Sequence, residues 1–315
     1  MIVVERYSEE KKVEWDQFCK TSKNPLFMFQ RDYMDYHKDR FQDHSLMFYN
    51  DDELIALLPM NQKGEVLNSH GGLTYGGFIM GKKMKQHTMN ECFEVCVNYV
   101  KNTGFKELNY KVIPHIYHVQ PAEEDRYSLF IHNAELVKVE PSTVLNLKEP
   151  LKMPKGRKAQ ISRARREGVE IRELTSEEDF HNFIALENAV LSSRHNTQAV
   201  HTGAELSLLH SRFPEQIHLF GASKDGELIA GTIVYEYGQV VHTQYMAANE
   251  IAREIGALDL AVSAVIEKYR DSKRWLDFGI STENGGRYLN DGLISQKEGF
   301  GGRTNVYEMW KLNIG

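Results

Sequence analysis

The stretch Glu53-Leu54-Ile55-Ala56 decides the fold, because it recurs as Glu227-Leu228-Ile229-Ala230 in the second half of the chain. Each copy is followed by a strand-like segment, then a helical pattern, then another strand-like segment. The two helical patterns place apolar residues at i, i+3, i+4, i+7, i+8 and i+11 from Met89 and from Leu258. That spacing is typical of a helix lying on a sheet. A repeat of about 170 residues is too long for a solenoid unit and predicts two similar domains.

Each half has the element order of an α+β domain, with a meander of antiparallel strands followed by a helix and a further strand. We therefore expect an α/β (α+β) chain with an N-terminal domain at residues 1–150 and a C-terminal domain at residues 151–315. Each domain should be a mixed, mainly antiparallel sheet flanked by helices. Residues 53–110 are expected to superpose on residues 227–279.

Two capping boxes predict helix starts in the second half. Thr175 is followed three residues later by Glu178, and Thr202 is followed by Glu205 at the same spacing. The first of these helices has an apolar face, which consists of Phe180, Phe183, Ile184, Val190 and Leu191.

Composition indicates an ordinary globular protein. Of the 315 residues, 41% are hydrophobic and 26% are charged. No apolar run approaches the roughly 18 residues that span a bilayer, and the N-terminus has no signal-peptide core. Three cysteines are too few for a disulfide framework, and Cys92 and Cys96 share an apolar helix face, which favours a role in packing over a metal site. We expect a cytoplasmic protein without a metal.

The charge is distributed unevenly. The net charge of −6 predicts no general affinity for DNA. Residues 152–166 nevertheless contain seven cations and no acid, which leaves −13 for the rest of the chain. An isolated basic segment on an acidic protein indicates a specific anionic partner. The seven cations are Lys152, Lys155, Arg157, Lys158, Arg163, Arg165 and Arg166.

Three motifs in the second half carry a family resemblance. The basic segment 157–169 ends in Glu-Gly-Val and resembles the motif that opens the second domain of FemABX-type transferases. Leu276-Asp277-Phe278-Gly279 and Lys297-Glu298-Gly299-Phe300-Gly301 resemble the closing signature of the same proteins. Together with the duplicated pattern, these motifs make the chain similar to FemAB-related, double-domain members of the GNAT (N-acetyltransferase) superfamily.

The resemblance implies that the basic segment contacts phosphate. Arginine suits phosphate because its planar fork makes paired, charge-assisted hydrogen bonds. We expect Arg157 and Arg163 to bind the phosphate of a donor or acceptor in a cleft between the domains, with Lys158 and Arg166 as further substrate-binding residues. The alternative is a solvated helix face, since these side chains cannot all share one side of a helix.

A second motif concerns the donor. Acetyltransferases bind the pyrophosphate of acyl-CoA with an Arg/Gln-x-x-Gly-x-Gly/Ala loop at a helix N-terminus. Arg253 and Gly256 match this loop and are the candidate cofactor-binding residues, but Leu258 occupies its last small position. FemABX-like enzymes with aminoacyl-tRNA donors commonly lack an intact loop, so acyl-CoA and aminoacyl-tRNA both remain open as co-substrates. An ordinary helix start is the third interpretation.

The closing signature supplies the candidate catalytic residues. The family's Tyr/Phe-Lys-x-x-Phe motif corresponds to Lys297 and Phe300, which implies oxyanion stabilisation by Lys297 and substrate binding by Phe300. Asp277, at a strand end, could bind the substrate amine or act as a base, and it could equally form a turn. Tyr245 is a further candidate for substrate binding.

These observations lead to one hypothesis and two alternatives. The first is an acyl- or aminoacyltransferase that moves its group onto an amine by direct attack in a ternary complex, in the manner of FemABX proteins acting on a peptidoglycan precursor. Its partners would be a phosphate-bearing substrate and tRNA, with transient contact to a membrane surface. The alternatives are an acyl-CoA N-acyltransferase for a small amine or sugar nucleotide, and a catalytically degenerate binding module.

Overall fold

The computed structural model describes residues 1–195 and 197–314, and the side chains at 193–195 lie outside the description. The described chain forms two compact units. The first consists of residues 1–141, 282–288 and the C-terminal residues from 306 onward, and the second consists of residues 142–281 and 289–305. These units differ from the expected consecutive ranges 1–150 and 151–315, because the C-terminal strand pairs within the first unit and residues 142–146 pair within the second.

The first eight strands of the chain lie in the first unit. They are β1 (Ile2–Arg6), β2 (Gln42–Asp43), β3 (Leu46–Asn50), β4 (Glu53–Leu58), β5 (Asn61–Lys63), β6 (Val66–Asn68), β7 (Ile79–Met80) and β8 (Glu107–Lys111). Its α-helices are α1 (Lys12–Thr21), α2 (Arg31–Met34), α3 (Gln86–Asn102) and α4 (Glu124–Ile131). Strand β9 (Glu135–Asn146) begins in this unit.

The second unit begins with the last residues of β9. Its helices are α5 (Lys155–Arg166), α6 (Glu177–His195), α7 (Gly203–Arg212), α8 (Glu250–Ile255), α9 (Ala257–Tyr269) and α10 (Asp291–Glu298). Its strands are β10 (Glu170–Leu174), β11 (Ile217–Lys224), β12 (Glu227–Glu236), β13 (Val240–Ala248) and β14 (Trp275–Ile280). The short strand β15 (Thr282–Glu283), which belongs to the first unit, pairs with β16 (Tyr288–Leu289), and β17 (Arg303–Asn313) is the last strand of the chain.

The repeated segments have the same strand order in both units. In the second unit β10, β11, β12 and β13 are successive antiparallel neighbours, and β13 then pairs in parallel with β14. In the first unit β1, β3 and β4 are antiparallel neighbours, β5 pairs with β6, and β6 pairs in parallel with β8. The two orders agree when β4 and β5 are read as one strand interrupted at Pro59 and Met60. Proline lacks the N–H of a ladder hydrogen bond, which explains the interruption.

The repeat helices cover the sheets as their apolar spacing predicts. Helix α3 buries Met89, Phe93 and both of its cysteines in the core of the first unit, so Cys92 and Cys96 are packing residues. Helix α9 buries Ala261, Val262, Val265 and Tyr269 of its predicted face in the core of the second unit. The double-domain α/β fold expected from the sequence is thereby confirmed.

One of the two predicted capping boxes lies elsewhere. The box of Thr202 and Glu205 is present, with the threonine hydroxyl accepting from the Glu205 N–H at 3.1 Å. At α6, however, Ser176 and Asp179 exchange the two capping hydrogen bonds, at 3.2 and 3.0 Å, one residue after the predicted pair. The prediction of Thr175 with Glu178 was therefore wrong, although the helix starts where it was expected.

In residues 1–195 and 197–314, no helix has the length and apolar character required to cross a bilayer. The same residues contain no cluster of three or more His, Cys, Asp or Glu side chains able to hold a metal ion.

Candidate active site

A cavity of about 820 Å³ lies in the second unit, and every residue that lines it belongs to that unit. Its walls come from α5, α6, the end of β13, the turn between α8 and α9, and α10. Ligand-binding cavities typically measure roughly 300–1,000 Å³, so this space can hold a small substrate.

The turn between α8 and α9 contributes Arg253 and Gly256 to the cavity wall. Gly256 has φ of +81°, and a Cβ there would lie 2.7 Å from the backbone oxygen of Gln160 on α5. Both the left-handed backbone and the close approach of α5 therefore require glycine. The Gly256 N–H donates to the Ala252 carbonyl at 2.9 Å, and Leu258 lines the cavity next to the turn. The turn thus has the glycine of a phosphate-binding loop, but its Gly256 N–H is occupied and the side chain of Leu258 stands beside it.

Arg157 extends from α5 and is held by three groups of the second unit. Its guanidinium forms an ion pair with Asp259 in the first turn of α9 and donates to the Gln296 carbonyl at 2.7 Å. It also lies 4.3 Å from the centre of the Phe300 ring. Burial raises the pKa of Asp259, while Arg157 acts in the opposite direction. Arg157 lines the cavity, but its charge is largely matched by a buried acid.

Phe300 is a core residue, in contrast to the expected substrate contact. Its side chain is 3% exposed and packs against Phe278, with ring centres 5.4 Å apart, and beneath Arg157. The spacing Lys-x-x-Phe places the ring one helical turn beyond Lys297, on the side that faces the sheet. Phe300 therefore supports Arg157 and does not line the cavity.

The other predicted cations of α5 divide into two groups. Arg163 pairs with Glu254 of α8 at 3.2 Å, and both side chains are substantially exposed. Lys158 and Arg166 are exposed, as are Lys155 and Arg165. These four exposed cations fall within about one third of the helix circumference at 100° per residue. We call Lys155, Lys158, Arg165 and Arg166 the basic stripe of α5.

Lys297 and Asp277 belong to one buried polar cluster. The Lys297 ammonium, 4% exposed, donates to the carbonyls of Gly279 at 2.9 Å and Ile280 at 2.6 Å. Burial lowers the pKa of Lys297 to about 8, and Asp277 acts in the opposite direction. Asp277 is fully buried and accepts hydrogen bonds from the Ser142 hydroxyl and, at 2.8 Å, from the Gly279 N–H. Neither residue lines the cavity, although Gln296, which precedes Lys297, does.

Tyr245 lies on β13 beside a β-bulge. The register with β12 passes from Ile233–Tyr245 to Val234–Thr243, which leaves Gln244 as the extra residue. The Tyr245 hydroxyl lies 2.6 Å from Nδ1 of His201. The next residue, Met246, lines the cavity. The bulge therefore sets which side chains of β13 reach the cavity.

Glu187 is a cavity residue that the motifs did not identify. It lies on α6, is 8% exposed and lines the cavity. Its Oε2 atom has no hydrogen-bond partner among the described residues. Burial raises the pKa of Glu187 to about 7. A signal was present in the sequence, because Glu187 occupies the i+7 position of the apolar face that begins at Phe180, where an acid is out of place.

Comparisons with known proteins agree with this geometry. Residues 155–288 match the model of the acetyltransferase (GNAT) domain family, and these residues include most of the cavity wall. No curated protein sequence matches the chain.

Solved structures match the whole chain in fold at low sequence identity. FemX has a TM-score of 0.69 at 10% identity, covering 99% of this chain and 97% of its own. L-PGS from Bacillus licheniformis has a TM-score of 0.65 at 14% identity, with coverage of 97% and 92%. A tandem GNAT protein from the clavulanic acid biosynthesis pathway has a TM-score of 0.58 at 11% identity, with coverage of 100% and 99%.

Residues 155–288 therefore form a GNAT domain, and the chain as a whole has the double-GNAT fold that FemX also has. The resemblance to FemABX-type proteins is confirmed at the level of the fold. The protein is an acyltransferase of the GNAT type.

Proposed function

We propose that this protein transfers an acyl or aminoacyl group onto an amine by direct attack within a ternary complex. The observation that carries the proposal is the cavity, which lies in the GNAT domain and is lined by Arg253, Gly256, Arg157 and the buried Glu187. Direct attack requires no protein nucleophile, since holding two reactants in the correct geometry supplies a large part of the rate. The protein's task is then to bind, orient and exclude water.

Charge around the cavity supports an aminoacyl carrier as the donor. A helix N-terminus attracts pyrophosphate through its free N–H groups and its dipole. Here the first turn of α9 carries Leu258 and the buried carboxylate of Asp259, and the Gly256 N–H already donates to Ala252. Because the Gly256 N–H is already occupied and the Leu258 side chain lines the turn, the turn favours a donor whose phosphates are bound elsewhere.

The basic stripe of α5 is the proposed phosphate-binding surface. Its four cations are exposed on one side of the helix, and the nearby acid Glu167 forms an ion pair with Lys224. Polyanions bind such surfaces by releasing counterions, which makes the affinity depend steeply on salt. A tRNA carrying the aminoacyl group fits this surface, and Arg157, matched by Asp259, then orients the reacting end at the cavity.

The fold relatives support the same class of reaction. The C-terminal domain of a putative lysylphosphatidylglycerol synthetase from Agrobacterium fabrum, whose name indicates transfer of a lysyl group, has a similar fold, and FemX shares the double-GNAT fold. By this analogy we propose a phosphate-bearing acceptor with an amine, in the FemABX-like modification of a cell-wall precursor at the cytoplasmic membrane surface. Lys297 would hold the end of β14 through its hydrogen bonds to the Gly279 and Ile280 carbonyls, and Asp277 would support the same segment through the Gly279 N–H.

The proposal is tested by equilibrium binding of fluorescently labelled bulk tRNA at several salt concentrations. The double substitution Lys158→Glu with Arg166→Glu should weaken binding at least tenfold and reduce the salt slope. The matched control carries Lys82→Glu with Lys101→Glu, two exposed lysines of the first unit. Equal losses in both variants would contradict a specific role for α5.

The second candidate is an acyl-CoA N-acyltransferase for a small amine or sugar nucleotide. Arg253 and Gly256, which have the spacing of an acyl-CoA loop and line the cavity, favour it. Thermal-shift measurements with acetyl-CoA and with CoA distinguish the two, because a ligand stabilises the folded state by RT ln(1 + [L]/Kd). Stabilisation by CoA that Arg253→Ala abolishes, together with no binding of tRNA, would replace the first proposal by this one.

A further inference from the structure

Glu187 combines three properties that structural acids rarely share. Its carboxyl group is buried, it faces a cavity large enough for a ligand, and Oε2 has no hydrogen-bond partner in the described chain. A buried charge without a partner opposes folding, so a residue of this kind is a candidate functional group. Replacement by leucine would complete the apolar face of α6 and would remove that cost.

The other charged groups of the cavity are engaged differently. Arg157 and Asp259 form a pair with each other on the α5 and α9 side, and Arg253 lies on the α8 side. On β13, which packs against α6, the nearby titratable group is Tyr245, whose hydroxyl contacts His201 at the start of α7. Among the side chains that the structure describes, no charged group contributes to the pKa of Glu187, which burial raises. Its carboxyl is therefore available to a cation that enters the cavity.

We propose that Glu187 binds the ammonium group of the acceptor and removes one proton from it before acyl transfer. This inference rests on the proposed function and names its acceptor as a primary amine that arrives as the cation. An ammonium group is the chemical complement of a buried, unpartnered carboxylate, since the two neutralise each other on binding.

The proton balance of the step is simple. The carboxylate of Glu187 takes one proton from R–NH₃⁺, which gives the carboxylic acid and the free amine. The amine lone pair forms a C–N bond with the acyl carbonyl carbon, and the carbonyl electrons move to oxygen. The carbonyl then re-forms as the bond from that carbon to the carrier oxygen or sulfur breaks. The nitrogen releases a second proton, which the departing carrier takes up, and the product is the neutral amide. Glu187 later returns its proton to water.

A carboxyl with a pKa of about 7 suits this task at neutral pH. General bases are most effective when their pKa lies near the working pH, because enough of the base is ionised and proton transfer remains favourable. An exposed glutamate, with a pKa near its ordinary value, would be ionised but would be a weaker base. Burial of Glu187 on the apolar face of α6 thus has a chemical purpose.

The experiment measures the ionisation of Glu187 directly. Protein labelled with ¹³C at the glutamate carboxyl carbons is titrated by NMR, and the Glu187 signal is assigned as the one missing in Glu187→Gln. The probe is n-butylammonium chloride, with n-butanol as a neutral molecule of the same shape. Glu178→Gln, an exposed acid on the same helix, is the matched control. We expect the signal to titrate near pH 7, and n-butylammonium to lower that midpoint by about one unit or more while n-butanol leaves it unchanged.

Titration of Glu187 at its ordinary value, or a midpoint that n-butylammonium does not move, would overturn the inference. Both outcomes are independent of the acyl donor, so they leave the proposed transferase function to its own test. Once turnover is measured with a donor, Glu187→Gln should lower kcat by about 10²–10⁴-fold and remove the rise of the rate with pH below 7. Full kcat with an unchanged pH profile would also refute the role as base, whereas absence of turnover in the wild type would count against the transferase alone.

Discussion

Replacing Glu187 by glutamine should stabilise the protein at neutral and alkaline pH. The carboxyl has an ordinary pKa of 4.5 in the unfolded chain and a pKa of about 7 in the folded one, because of burial. The folded state therefore holds a proton that the unfolded state releases between these values. By linkage, the free energy of unfolding falls as pH rises from about 4.5 to 7 and is constant outside that window. At about 1.4 kcal/mol per pKa unit, the ionised carboxylate costs about 3 kcal/mol above pH 7.

The assay is thermal unfolding of the wild type and of Glu187→Gln at pH values from 4 to 8.5. In a unit of this size each kcal/mol corresponds to about 2–4 °C in Tm. The variant should melt at nearly the wild-type temperature at pH 4 and several degrees above it at pH 8. Glu178→Gln, whose acid is exposed on the same helix, should follow the wild type throughout.

The comparison between variants is the measurement that decides. Other groups titrate in the same pH range, but their contributions cancel in the difference between two proteins that share them. A Tm difference that stays constant from pH 4 to 8.5 would show that Glu187 has an ordinary pKa, and the argument from burial would then fail. A variant that is more stable and also less active would be the expected signature of a functional site.

Three further predictions concern the rest of the site. Gly256→Ala should lower the free energy of unfolding by about 3 kcal/mol, because the new Cβ adds a steric clash to the backbone strain. Gly168→Ala should lower it by about 1 kcal/mol, because Gly168 has φ of +76° but open space around it. Urea unfolding of both variants therefore isolates the contribution of the clash. Arg157→Met should destabilise the folded protein by about 3 kcal/mol, because the buried carboxylate of Asp259 loses its partner. Adding Asp259→Asn should restore most of the lost stability, and a double variant no more stable than Arg157→Met would contradict this. In the wild type, the lowered pKa of Lys297 makes the free energy of unfolding rise between pH 8 and 10.5, and Lys297→Met should lose this rise. If Lys297 stabilises the oxyanion, the same variant should lower kcat about a hundredfold, and an unchanged kcat would refute that role.

Much of the fold could be predicted because its determinants are local or periodic. The Glu-Leu-Ile-Ala repeat and the apolar spacing from Met89 and Leu258 located two similar units, and the strand orders agree. The interruption at Pro59 is also visible in the sequence once the ladder is considered. The assignment of the C-terminal strand to the first unit could not be predicted, because pairing of β17 with β8 depends on contacts nearly 200 residues apart.

The site could be predicted only where a motif fixed the backbone. Arg253 and Gly256 line the cavity because their spacing specifies a turn between two helices. Motif matching could not reveal that Arg157 pairs with Asp259, or that Phe300 is buried beneath it, since those partners come from other elements. Glu187 belongs to no motif, and only its position on an apolar face distinguishes it from the other acids of α6.

The distribution of charge separates two functions within one domain. Inside the cavity the Arg157–Asp259 pair is neutral as a unit, and Glu187 is the buried carboxylate that we propose binds the ammonium group of the acceptor. Outside it, the basic stripe of α5 favours a polyanion. An ammonium group at the stripe would meet four cations, whereas in the cavity it would meet the carboxylate of Glu187. On our proposal the amine enters the cavity and the phosphates of the carrier stay at the stripe, which is an arrangement suited to acyl transfer from a bulky anionic carrier to an amine.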